Sequence, residues 1–213
     1  MDLTDQRFGE LLDAIAAKTP SPGGGAVASA TGALGASLAA MVVQYSIGKK
    51  SLRDHEERHR AALGQIGNAR AVLLRLARED AEAYEEVNRL MKAPREDQES
   101  RQMFLATVAA ATQAPMATIA ACGDLLRLFE ELAPISNQYL RSDLAIAAIL
   151  AESAARASRW NVAVNASLLS QAAETATGRP SRAGDEALES ADAMLRDAAA
   201  LRTRVEAACR ADG

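Results

Sequence analysis

Apolar residues recur at three- and four-residue spacing along nearly the whole chain, the signature of helices that each turn one face to a core. Phe8, Leu11, Leu12 and Ile15 mark a first amphipathic helix, with Thr4 placed to cap it. It ends before Pro20, and a second helix is predicted from Gly24 or Gly25 to about Tyr45. A third runs from about residue 51 to residue 91 on a stripe that includes Leu52, Leu63, Ile66, Leu73, Ala77, Tyr84, Val87 and Met91. Pro94 ends it. A fourth follows from about Glu96; Pro115 should kink or split it before the pattern resumes through Ile119, Leu125, Leu126, Phe129 and Leu132. Beyond Pro134, residues 136–143 open a helix carrying Leu144, Ala148, Ala155, Val162 and Leu169. A loop over residues 177–183 precedes a last helix on Leu188, Ala191, Leu195, Ala198, Leu201 and Val205. No strand pair, internal repeat or second domain is visible. The expectation is one all-α domain over residues 1–213, a bundle of about six to seven helices with one kinked at Pro115.

Composition sharpens this. Hydrophobic residues make up 49% of the chain but aromatics only 3%, so the core must be aliphatic and alanine-built, which favours closely packed helices. A net charge of −4 without a basic stripe argues against nucleic acid or an anionic membrane as partner. Cys122 and Cys209 fall in helical patterns at no metal-binding spacing, and the charged N-terminus lacks the apolar core of a signal peptide. Free thiols and a cytoplasmic location are expected. Residues 19–48 carry no charge, long enough to span a bilayer, yet Ala, Gly, Ser and Thr dominate them. A helix buried on all sides fits better, with Gly32, Gly35, Ala36 and Ala39 admitting close neighbours.

Four segments carry candidate chemistry. Pro22, Gly23, Gly24 and Gly25 match neither a Walker loop nor a dinucleotide fingerprint. They form either a plain entry turn or a helix N-terminus whose free amides meet an anion or polar ligand edge. His55 to His59 fits H-E-x-x-H, but the surrounding Asp54, Glu57, Arg58 and Arg60 read as a solvated charged face rather than a zinc site. Asp80 lies on the apolar stripe of the third helix, where a carboxylate must be paired, hydrogen-bonded or shifted in pKa; it is either a buried ion-pair partner or an acid/base. Asp143, Ala147, Ala154, Ser158, Asn161 and Asn165 share one helical face that could line a cleft, or Asp143 could serve its helix dipole while the asparagines bond neighbouring helices.

TPSPGGGAVASATGALGASLAAMV followed by IGKK, REDAEAYEEV, ATQAPM, SNQYLRSDLAIAA and WNVAVN occur in that order. Together they resemble the formiminotransferase-cyclodeaminase C-terminal family over nearly the whole chain. The resemblance implies an all-helical homodimer acting on a one-carbon tetrahydrofolate. It would either hydrolyse methenyltetrahydrofolate to formyltetrahydrofolate or cyclise formiminotetrahydrofolate with release of ammonia. No metal, and no cofactor beyond tetrahydrofolate as the carrier of the substrate, is implied. Catalysis would fall to Asp80 or Asp143. Pro22, Gly23, Gly24, Gly25, Lys49, Lys50, Arg95, Asn137, Ser142, Asn161 and Asn165 would bind substrate, the cations meeting folate carboxylates. Gln44, Ser136 and Arg95 stand where relatives often carry Asn, Gly and Lys, and bear on substrate preference. No formiminotransferase domain accompanies these residues, which tilts the expectation towards the cyclohydrolase. The alternative is a non-catalytic helical dimer or a folate-binding bundle.

Overall fold

The uncharged segment is a helix, held inside a bundle. The computed structural model describes residues 7–210, so the cap expected at Thr4 lies outside the described residues. Six α-helices follow one another: α1 Phe8–Ala16, α2 Gly24–Gln44, α3 Glu56–Met91, α4 Gln98–Leu132, α5 Arg141–Thr177 and α6 Ala183–Arg210. Short 3-10 turns cover Lys50–His55, Ala133–Ile135 and Gln138–Leu140. No strand occurs among the described residues.

α2 packs between α3 and α5, while α4 packs on α3, α5 and α6. A Cβ at Gly35 would lie 2.9 Å from the Ala147 carbonyl oxygen, and one at Gly32 would lie 3.1 Å from Cys122 Sγ. The approach at Gly35 has no room for a side chain, and the one at Gly32 is tight, which accounts for the small residues at these two points of α2. Gly24 lies beside Asn161 and Gly35 beside Ala147 and Leu150, so α2 and α5 run antiparallel. α2 and Gln98–Ile135 are long and apolar enough to cross a membrane. In this fold Ala36, Ala39, Val42 and Val43 of α2 instead join Leu73, Leu126, Phe129 and Leu144 in the main core. A smaller core of Val87, Leu90, Phe104, Val108 and Leu169 closes the end of the bundle where α2 begins.

Several expectations change. The third helix starts as a 3-10 turn and becomes α-helical only at Glu56. Tyr84 and Met91, placed on its apolar stripe, are exposed. Pro115 does not split the fourth helix, which is continuous from Gln98 to Leu132. The first helix forms, but none of its residues is buried. His59 is not on a solvated face. It is fully buried, and its Nε2 lies 3.0 Å from the Ile135 carbonyl oxygen. That oxygen can only accept, so Nε2 carries the proton. Burial is the main cause that pushes His59 below its ordinary pKa. Cys122 and Cys209 are free thiols, and burial pushes Cys122 up to about 12.

Candidate active site

The N-terminus of α2 needs an acceptor that its own cap does not supply. Gly23 is the N-cap and has no side chain, so the first-turn amides must find a partner elsewhere. Asp80 of α3 provides one, accepting from the Ala26 N–H. Gly25 makes this possible, because a Cβ there would overlap the Asp80 carboxyl group. Two influences then oppose each other on Asp80. Burial raises its pKa, and the Ala26 hydrogen bond lowers it; burial is the larger, and the carboxyl stands above the ordinary carboxylate range.

Asp80 faces a cavity of about 560 Å³ between the start of α2, the second half of α3 and the second half of α5. Tyr84, Val87, Met91 and Leu168 give it apolar walls, whereas Asn88, Asn161, Asn165 and Gln171 supply donors and acceptors. The volume and the mixture suit a flat heterocycle held by a few polar groups. Among the described lining residues Asp80 is the charged one, and no Lys, Arg or His joins it.

Asn165 also repairs a defect. Pro115 lacks the N–H that would bond the carbonyl of Ala111 one turn back. Asn165 Nδ2 donates to that oxygen at 3.1 Å, and Ala111 itself lines the cavity. This bond helps α4 run on through the proline. It also fixes the amide plane of Asn165 in the cavity wall.

Gly23, Gly24, Gly25, Asp80, Asn161 and Asn165 are thus brought together. Pro22 adjoins them through the cis Ser21–Pro22 peptide, with Ser21 and Gly23 lining the cavity on either side. The remaining candidates lie elsewhere. Lys49, Lys50 and Asn137 lie at the other end of α2, about 30 Å away along a 21-residue helix, and Ser142 and Asp143, in the first turn of α5, line no part of the cavity. There Lys49 Nζ donates to Asn137 Oδ1 at 2.9 Å and sits 5.3 Å from the centre of the Tyr139 ring. Asn137 N–H donates to Ser46 Oγ at 2.9 Å. Arg95 lines no part of the cavity. Its guanidinium stacks 4.1 Å over the Phe104 ring and donates to the Leu90 carbonyl, tying the turn between α3 and α4. The face of α5 read as a cleft is for the most part packed against α2, with Ala147, Ala154 and Ser158 buried; only its Asn161 and Asn165 end reaches open space.

The sequence reading missed Asn88 and Gln171. Both were within its reach, since 80, 84, 88 and 91 share one face of α3 and 161, 164, 168 and 171 one face of α5.

An all-helical bundle with a half-buried carboxyl group at a glycine-opened helix start is the class this geometry defines. Residues 7–183 match the family model described as formiminotransferase-cyclodeaminase, and the chain belongs to that family. It is 30% identical to a methenyltetrahydrofolate cyclohydrolase of Methylorubrum extorquens, over 91% of each chain. It is likewise 30% identical to a formimidoyltransferase-cyclodeaminase of Sus scrofa, covering 71% of this chain but only 29% of that protein. The crystal structure of a formiminotetrahydrofolate cyclodeaminase from Thermotoga maritima superimposes with a TM-score of 0.79 at 30% identity, covering 96% of each chain.

Proposed function

We propose that this protein is a one-carbon tetrahydrofolate enzyme that hydrolyses methenyltetrahydrofolate to formyltetrahydrofolate in the Asp80 cavity. The observation that carries the reading is a half-buried carboxyl group of raised pKa, held by a helix N-terminus and facing a cavity of about 560 Å³ with four carboxamide side chains. Likeness over 91% of both chains to a methenyltetrahydrofolate cyclohydrolase supports the substrate.

In this mechanism water adds to the methenyl carbon between the two folate nitrogens and gives one proton to Asp80. As the C–N bond breaks, Asp80 hands that proton to the leaving nitrogen, and the remaining hydroxyl proton passes to solvent as the formyl C=O forms. A raised pKa suits both halves of this transfer, because the group must take up a proton and then release it. Asn161 and Asn88 hold the polar edge of the substrate, and Tyr84, Met91 and Leu168 its faces. Asp143 is not in this cavity, so Asp80 is assigned the acid/base role.

The cyclodeaminase reading is kept because the matching solved structure carries that name. The same tetrahedral carbon would then expel ammonia instead of gaining water. Purified protein assayed for loss of methenyltetrahydrofolate, and separately for ammonia from formiminotetrahydrofolate, distinguishes the two. Failure of both assays, with no folate-induced rise in melting temperature, would sink the enzymatic reading and leave a helical bundle without this chemistry. We further propose a homodimer in the cytoplasm; the uncharged outer face of α2 supports the dimer.

A further inference from the structure

The four carboxamides of the cavity are not equally free. The side chains of Asn88 and Asn161 form no hydrogen bond among the described residues, so each can turn its amide to suit a ligand. Gln171 Nε2 donates to Ser167 Oγ at 3.4 Å, and a hydroxyl donates as readily as it accepts, so that contact survives a flip. Asn165 differs. Its partner is the Ala111 carbonyl oxygen, at 3.1 Å, which can only accept. Turning the amide over would set two acceptors against each other and leave that oxygen without a donor, because Pro115 has no N–H to give it. Nδ2 therefore faces α4 and Oδ1 faces away from it. Asn165 lines the cavity and is half-buried, so Oδ1 is the atom left for a ligand.

The place of Asn165 decides which part of a ligand it meets. α3 and α5 both run on past the start of α2, and the cavity lies between them there. Asp80 stands at that start beside Gly25, and Asn161 beside Gly24. Asn165 is one turn, about 6 Å, further along α5. A fused two-ring heterocycle that brings its reacting carbon to Asp80 thus lays its far ring beside Asn165, with Tyr84, Val87 and Leu168 as apolar walls. In a tetrahydrofolate that ring is the pyrimidine, which carries an amino group next to a ring nitrogen. An N–H donor then faces Oδ1.

We propose that Asn165 is the specificity-determining residue of this cavity: its locked carboxamide accepts from the amino group of the substrate's pyrimidine ring and rejects a ring with an oxygen in that place. Exchanging amino for oxo reverses donor and acceptor along that edge. A carboxamide free to turn reads either order, whereas one held by a backbone carbonyl reads one. Asn88 and Asn161 adapt to the ligand, and Asn165 chooses it. The lock follows from the Ala111 bond alone; the choice of ring rests on the folate reading above.

The test is calorimetric binding, under nitrogen, of tetrahydrofolate and of its counterpart with the ring amino group exchanged for an oxo group, to the full chain. Wild-type protein should favour the amino form by about tenfold or more. Asn165→Ala should bring the two affinities together, while Asn88→Ala should weaken both alike and keep the preference. Asn165→Ala also strips the Ala111 oxygen of its donor, so the double variant Pro115→Ala/Asn165→Ala is measured beside it. There the new N–H at position 115 restores the bond within α4, and the preference should still be lost. Equal binding of both forms by wild type, a preference that persists in the folded double variant, or one that depends on Asn88 instead would each overturn the assignment and leave the folate reading standing. Binding of neither form, with no turnover of either folate substrate, would sink the folate reading and this assignment with it.

Discussion

The two ends of α2 meet the same demand by different means. At its N-terminus the cap residue Gly23 has nothing to offer, and an acidic side chain from α3 accepts the Ala26 N–H beside an open cavity. At its C-terminus the chain turns at Gly48, with φ of 77°, and Ser46 bonds in two directions. Its hydroxyl donates to the Val42 carbonyl at 2.8 Å and accepts from Asn137 N–H at 2.9 Å. The first end leaves a titratable group beside open space, a place where protons can move. The second end is bonded tightly on itself and holds a lysine in position. A titratable group beside a cavity and a fixed lysine thus stand at opposite ends of one helix.

The sharpest way to break that contrast is Asp80→Asn. Loss of the acid/base should lower kcat by about 10²–10⁴-fold. Stability should move the other way. Because the folded pKa of Asp80 is raised, its ionisation weakens the fold as pH climbs from the ordinary carboxylate value through the raised one. The asparagine variant, which can still accept from Ala26, should therefore melt at or above the wild-type temperature at neutral pH. A clear drop there, absent in acid, would mean that the carboxylate is structural. The same titration predicts that wild-type kcat rises with pH through a pKa above the ordinary carboxylate range.

Next in size is Gly25→Ala. The new methyl group and the Asp80 carboxyl claim the same space, so destabilisation of about 3 kcal/mol is expected, with turnover falling as the acid is displaced. Urea unfolding and rates on the same preparation check both. At the opposite end, Ser46→Ala leaves the buried Asn137 N–H without its acceptor. It should cost about 1–2 kcal/mol in urea denaturation. Because this end lies about 30 Å from the cavity, turnover by folded Ser46→Ala protein should stay near the wild-type rate. A loss of turnover as large as that of Asp80→Asn would erase the distinction between the two ends.

The smallest effect concerns His59, near the second end. Burial depresses its pKa, so stability is present above its ordinary value of 6.5 and is lost as pH falls through the lowered folded value. Urea midpoints measured across that interval should decline in the wild type and stay flatter in His59→Gln.

Helix number, order and approximate limits were legible from apolar periodicity, and so was the inward direction of Asp80. The reason is physical: spacing states which residues share a face. It does not state which neighbour that face will meet. Hence Ala147, Ala154 and Ser158 read as a cleft although α2 fills it, and Tyr84 and Met91 read as core although they border open space. Charge density around His59 hid its burial, because the helix turns that one position inward between charged neighbours. The resemblance to the family put the residues of both ends of α2 into one site, whereas a single chain holds those ends about 30 Å apart.

Pro115 has a consequence for how the cavity can change. By withholding one amide hydrogen, it keeps the carboxamide of Asn165 engaged with the Ala111 carbonyl. A residue with an N–H at position 115 would compete for that oxygen and free Asn165 to turn its donors towards the ligand. A proline outside the cavity lining thereby sets how one carboxamide faces the cavity, and its replacement should change that orientation while every cavity-lining side chain kept its identity.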